Sequence, residues 1–454
     1  MDSKKRQAIV LIHGIGEQRP MDTLRSFVAG LGEKKYYNKP DRLSDSLELR
    51  RYTLPSNSNR PITDCYELYW AHHFESGKIL ETLRWAARLI TRQFFWRLDK
   101  TLRGVVGMIQ IAGALLASIV GVLIARLVGS EALAATELYW LVGISGALLL
   151  GVLGSGWFIT GSLADAARYL TPHPRNVAAR NRIRADGLTL LKKLHEDGDY
   201  DRVVLVGHSL GSVIGIDLIR LAWDELRHPN PALLNDSNFR VKQTEAKAFD
   251  KCATALDGSS GAKDLADFQQ RQHRLWCENR ALGVPWLVTD FVTLGSPLAH
   301  ASLLLDTRSV KLKQRQREGE YPQCPPLAER STTFVDIKYQ INEQFSTLKV
   351  GKHDASFGPT RWTNLYFPVR FASLGDPVGG PIASEFGPGV RDIPVRLSLG
   401  GWRATIYKLL LKPHTHYWSC DPGRPSADRA RRKQLDDVTG TRDANTMLLD
   451  ALKL

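Results

Sequence analysis

Ser209 stands in the run Gly207-His208-Ser209-Leu210-Gly211. A serine hydroxyl is a weak nucleophile until a neighbouring base takes its proton, and it must sit where a substrate can reach it. A tight strand-to-helix turn presents it in that way, and flanking glycines let chains approach where any Cβ would clash. The pentapeptide alone is common, so its setting decides. Here it follows the β-branched run Arg202 to Val206 (RVVLV) and opens the apolar helical stretch SVIGIDLIRLAW. A second glycine-rich turn, His13-Gly14-Ile15-Gly16, closes the run QAIVLI from Gln7 to Ile12. Attack on a carbonyl creates an oxyanion, and losing one of its N–H donors costs about 10²–10³ in rate. The backbone amides of Ile15 and of Leu210, the residue after the nucleophile, are the expected donors, and His13 is expected to brace its loop. A phosphate cradle does not fit, because no Lys-Ser or Lys-Thr follows these glycines. The chemistry indicated is acyl transfer, which needs no metal and no organic cofactor. His72, His73 and His208 read as structural residues, with no pair at metal-ligand spacing.

These turns need elements to carry them. QAIVLI and RVVLV have the composition of strands buried on both faces. A helical pattern runs from Met21 to Leu31, and another from Asn176 to His195, which Asp197-Gly198-Asp199 stops. Further strands are predicted at Trp286 to Thr293, before Leu294-Gly295-Ser296-Pro297, and at Trp362 to Phe367, before Leu374-Gly375-Asp376-Pro377. Strands alternating with helices predict an α/β fold with a mainly parallel sheet and helices on both faces. Pro229 to Asn238 and Gln314 to Arg330 read as the least structured stretches. The tail 421–454 is polar, with a short helical ending at Asn445 to Leu454.

The 454 residues are 43% hydrophobic and 24% charged, enough apolar material for a sizeable core. The five cysteines are scattered without C-x-x-C spacing, which argues against a disulfide scaffold or a zinc site. The excess of Lys and Arg gives a net charge of +14 and favours an anionic neighbour. Two uncharged runs identify it as lipid. Gly104 to Ala125 is 22 residues long, and Leu138 to Leu163 follows after a 12-residue link. A helix needs about 20 apolar residues to cross a bilayer, so these read as a transmembrane hairpin at 104–163 with spans at 104–125 and 138–163. Gly, Ala and Ser recur in both, as close helix packing in lipid favours. Arginines crowd the outer flanks (Arg84 to Arg103, and Arg168 to Arg184), whereas the link holds Arg126 against Glu131 and Glu137. The expected location is the inner membrane, with both ends of the chain in the cytoplasm. The basic, aromatic stretch 81–103 reads as an interfacial segment on anionic headgroups. The opening MDSKKRQAIVLIHG has no cleavage pattern and is not read as a signal peptide. No nucleic-acid partner is expected, since no zinc-finger spacing, RNP-like strand or basic recognition helix occurs.

With these pieces together, the sequence resembles the α/β-hydrolase superfamily, on its serine lipase and esterase side, and in particular bacterial hydrolases opening with an HGIGEQ loop. The segments that carry the likeness are HGIGEQRP, ELYWAHH, VLVGHSLGS, TLGSPL, WTNLYFP with GDPVGG, and HTHYW. The resemblance implies a hydrolase domain in two parts, 1–80 and 175–420, interrupted by the membrane hairpin. It also implies the chain order serine, acid, histidine. Asp376 in Gly-Asp-Pro-Val matches the acid position, whereas Asp290 falls too early, inside a strand, and Asp336 matches no motif. The base is His414 or His416, and the pattern His-x-x-Tyr-Trp selects His414. His300 precedes the acid and reads as a helix-start residue.

Three functions fit. A membrane-anchored esterase acting on lipid or lipid-like substrates is the leading one. A thioesterase or amidase would use the same triad. A non-catalytic, membrane-tethered binding module would keep the fold alone. No feature of the sequence fixes the oligomeric state.

Overall fold

The computed structural model describes residues 6–14, 19–32, 35–44, 48–57, 60–73, 118, 120–121, 143, 169–170, 174–230, 234, 243–256, 260–306, 310–326, 332–341, 344–369, 375–397, 412–418 and 442–454. Among these residues no helix is long and apolar enough to cross a membrane. The expected hairpin 104–163 and interfacial segment 81–103 lie outside the described residues, apart from four isolated helical positions.

A nine-stranded sheet organises the chain. Its strands are β1 (Arg6–Ile12), β2 (Tyr37–Pro40), β3 (Arg50–Leu54), β4 (Ile62–Leu68), β5 (Arg202–His208), β6 (Val288–Leu294), β9 (Arg361–Tyr366), β10 (Arg391–Arg396) and β11 (Arg442–Asp443). A separate antiparallel hairpin pairs β7 (Phe334–Ile341) with β8 (Gln344–Gly351). The sheet order is β11-β10-β9-β6-β5-β1-β4-β3-β2. From β11 to β4 every pairing is parallel, and only the β4–β3 and β3–β2 pairings at the edge are antiparallel. The principal helices are α1 (Asp22–Gly30), α2 (Pro174–Glu196), α3 (Leu210–Leu226), α4 (Thr244–Ala255), α5 (Ala262–Ala281) and α6 (Ala444–Leu452).

The alternation of side chains along a strand divides the core into two layers. Ala8, Val10 and Ile12 of β1 join Val203 and Leu205 of β5 in one cluster, under α2, α3, α4 and α5. Ile9 and Leu11 join Val204 and Val206 in the other, under α1 and α6. Each of these fully buried Val, Leu and Ile side chains contributes about 1.5–3 kcal/mol. A sheet covered on both faces is what the unbroken apolar runs QAIVLI and RVVLV require.

Several boundaries differ from those read in the sequence. β5 runs two residues further, through Gly207 and His208, and β6 starts at Val288 rather than Trp286. The stretch 314–330 is not wholly irregular, because Leu312–Arg317 forms a short helix. The last residues belong to the core: Asp443 caps α6 by accepting from the Thr446 amide at 3.0 Å, and Met447, Leu448 and Leu452 are buried beneath the sheet. The four described cysteines, Cys65, Cys252, Cys277 and Cys324, are free thiols.

A close backbone approach lies where α3 meets β1. A Cβ placed on Gly211 would stand 2.0 Å from the Ile12 carbonyl oxygen, and one on Gly207 would stand 2.5 Å from the Ser212 Cα. Both neighbours are backbone and cannot swing away. Gly211→Ala should therefore cost at least about 1–3 kcal/mol, as overpacking does. Denaturant unfolding of the variant measures this; a stability equal to wild type would contradict the packing described.

Candidate active site

In the parallel part of the sheet all carboxyl ends lie along one edge, and the chain leaves β1 to build β4 on one side and β5 on the other. A crevice outside such a reversal is where open α/β sheets bind ligands. The turns after β1, β5, β6 and β9 meet there, joined by a segment that follows β10.

β5 delivers Ser209 directly into the head of α3. Its backbone has φ 51° and ψ −126°, a left-handed conformation that costs energy for any residue with a Cβ. Its partners hold it: the Ser209 amide donates to the Leu294 carbonyl at 2.9 Å, and its own carbonyl accepts from the Ser212 amide at 3.0 Å and the Ser212 hydroxyl at 2.6 Å. Ser212 Oγ also meets Ser296 Oγ at 2.6 Å, which locks the helix head to the turn after β6. Ser209 is 2% exposed. Leu210 opens α3, and the first N–H groups of a helix have no partner within it.

β1 delivers His13 and Gly14 against this turn, since a Cβ on Gly14 would lie 2.9 Å from Ser209 Cβ. The His13 ring stacks on Trp70 at 4.9 Å, its Nε2 accepts from the Trp70 amide at 3.2 Å, and its Nδ1 donates to the Gly14 carbonyl at 2.8 Å. Both ring nitrogens are thereby engaged in holding the loop. Burial lowers the His13 pKa to about 4, so the ring is neutral. Ile15 lies outside the described residues.

Asp376 follows β9 and is wholly buried. One carboxylate oxygen accepts from the amides of Val378 and Gly379, at 3.0 and 3.2 Å. The other meets His414 Nδ1 at 2.8 Å and accepts from the Tyr417 hydroxyl at 2.7 Å. Burial, the largest influence, favours the neutral acid. The facing His414, then the hydrogen bonds from His414, Tyr417 and the Gly379 amide, outweigh it and hold the carboxyl below its ordinary value. Burial and the Asp376 charge push the Tyr417 phenol well above its usual range, so it remains a donor. Gly295 makes the pair possible, because a Cβ there would stand 2.6 Å from Asp376 Oδ2 and 3.0 Å from His414 Nδ1.

His414 is 3% exposed, in a short helical turn at Lys412–Thr415. His416, two residues on, is less buried and meets Thr415 Oγ1 at 2.9 Å. The carboxylate at 376 thus faces His414. Asp290 is ion-paired with Arg361 at 2.8 Å within the sheet, and Asp336 pairs with Lys349 on the separate hairpin. The His208 ring lies 5.0 Å from that of His414, and its Nε2 donates to the His414 carbonyl at 2.7 Å. The turn carrying Ser209 therefore lies beside the imidazole.

Sequence reasoning missed four contributors. Tyr417 gave no sign that its hydroxyl reaches back to Asp376. Ser212, in the first turn of α3, and Ser296, in the turn after β6, bracket the nucleophile turn. Glu67 accepts from the Met21 amide at 2.9 Å, anchoring the chain beyond the His13 loop. Burial raises the Glu67 pKa to about 7.

Comparison with protein-family models, with curated proteins and with solved structures finds no match for this chain.

The buried histidines give stability a pH dependence of known sign. Burial, reinforced by His414, lowers His208 from 6.5 to about 3. Between those values the unfolded chain binds the extra proton, so this contribution is complete above pH 6.5 and is lost as pH falls. Glu67 acts in the opposite sense: raised from 4.5 to about 7, it stabilises below pH 4.5 and loses that contribution as pH rises through about 7. Denaturant unfolding between pH 7 and 4.5 should show a shallower acid loss for His208→Gln and a steeper one for Glu67→Gln than for wild type. Parallel curves for all three would contradict these assignments.

Proposed function

We propose that the protein is a membrane-anchored serine hydrolase with an α/β-hydrolase fold, cleaving carboxylic esters of lipids or lipid-like molecules. The observation that carries this reading is the buried Asp376–His414 pair, 2.8 Å apart, beside a serine held in left-handed backbone between a strand and a helix. The order of parts supports it: serine after β5, acid after β9 and histidine after β10, on successively outer strands of one parallel sheet.

The mechanism follows from these positions. Ser209 Oγ attacks the ester carbonyl while His414 Nε2 takes its proton. The oxyanion lies against the Leu210 amide at the positive end of α3; Ile15, the expected second donor, lies outside the described residues. Asp376 fixes the tautomer through Nδ1 and stabilises the imidazolium without taking its proton. His414 then protonates the leaving alcohol. Water, deprotonated by the same imidazole, releases the acid from the acyl-enzyme.

The fold also gives a reason for a lipid substrate. β4 is parallel to β1 and β5, so the chain leaves β4 on the edge that carries Ser209. The apolar runs at 104–163 fall in the stretch of sequence between His73 and Pro174. A membrane anchor inserted at this point of the sequence would hold the hydrolase domain at a lipid surface, where acyl esters are concentrated.

Kinetics on the full-length protein in anionic vesicles test this reading. Ser209→Ala should lower kcat for an ester by about 10⁴ or more, and Asp376→Asn by about 10⁴ through the wrong tautomer. His416→Ala should leave kcat unchanged. Esters embedded in vesicles should turn over faster than short soluble esters, thioesters or amides. Full activity in Ser209→Ala would overturn the serine assignment, and a preference for thioesters or amides would change the bond cleaved.

A further inference from the structure

Beyond the carboxyl end of β4 the chain makes a short helical turn at Ala71–His73, which packs against α2. His72, His73 and Asp186 of α2 converge there, each offering a ligand atom within 4.8 Å of the others. His73 Nε2 lies 2.6 Å from Asp186 Oδ2, and the two imidazole rings are 3.8 Å apart. Asp186 is 113 positions from His73, which is why spacing in the sequence gives no hint of the cluster.

A second observation points to a ligand. His72, His73 and Asp186 line an open cavity of about 530 Å³, and Glu67 forms part of the same wall. Glu67 is 1% exposed, and its Oε1 is buried with no hydrogen-bond partner. A buried carboxylate oxygen left unpaired carries a desolvation cost that a cation in the adjoining cavity offsets. Two imidazoles and a carboxylate are the donor set of borderline transition metals. Calcium and magnesium take oxygen ligands instead.

We propose that His72, His73 and Asp186 bind a divalent transition-metal ion, with zinc the best match and Glu67 lining the same cavity. The ion ties the turn after β4 to α2, and its position gives it a neighbour. Tyr69 stacks on His72 at 5.4 Å and contacts the His13 ring at 5.5 Å, so the bound ion braces the residues behind the His13 loop. This inference does not depend on ester hydrolysis, and its test needs no turnover.

The test uses untagged full-length protein, stripped with a chelator and then equilibrated with micromolar zinc. Metal content after gel filtration should be about one zinc per chain, as for a three-ligand site with an open position. Zinc should also raise the unfolding temperature, since it binds only the folded chain. His72→Gln, at an exposed position, and Asp186→Asn should each lose the retained zinc and the shift in unfolding temperature while keeping the wild-type circular dichroism. A wild type that retains no zinc, or variants that retain as much as wild type, would overturn the proposal.

Discussion

A carboxylate removed wholly from solvent must be compensated from every side, and Asp376 meets that demand with four donors drawn from two stretches of chain. Two are backbone amides of its own turn, one is the Tyr417 hydroxyl, and the last is the His414 imidazole. Removing one partner from a buried charge is strongly destabilising, so the arrangement is fixed as a whole. The rest of the site is built around this cluster. Gly295 gives it room, β9 and β6 set its height above the sheet, and His208 ties the His414 backbone to the turn that carries Ser209.

The second constraint is the strain at Ser209. A left-handed backbone at a residue with a Cβ persists only where its surroundings over-determine it. Here the hydrogen bonds of the Ser209 amide and carbonyl, and the contact of Gly211 with the end of β1, provide that over-determination. The stiffness of the sheet is thus transmitted to one side chain.

How much of this could be read from the residues depends on the range of each interaction. The strand–turn–helix around Ser209 was legible because its determinants are contiguous: an apolar strand, paired glycines and an apolar helix. The β1 strand and its glycine turn were legible for the same reason. The choice of His414 over His416 came from a resemblance, because two histidines two residues apart are equivalent by composition; the Asp376 contact separates them. The antiparallel edge of β2 and β3 escaped notice because YNKP is four residues long and mostly exposed, and RRYTL offers only three buried residues after two arginines. The helical ending at Asn445 to Leu454 was legible, whereas its burial in the core was not, because that depends on the sheet its apolar face meets. The His72–His73–Asp186 cluster is invisible to spacing, because only folding brings α2 beside the turn after β4.

The account turns on an activated serine at one position. The most direct measurement is reaction of the full-length protein, in membranes, with a fluorophosphonate, followed by mass mapping of the adduct. A single phosphonylated residue, Ser209, is expected, with no adduct in Ser209→Ala. Folded protein that stays unlabelled, or an adduct on another residue, would contradict it.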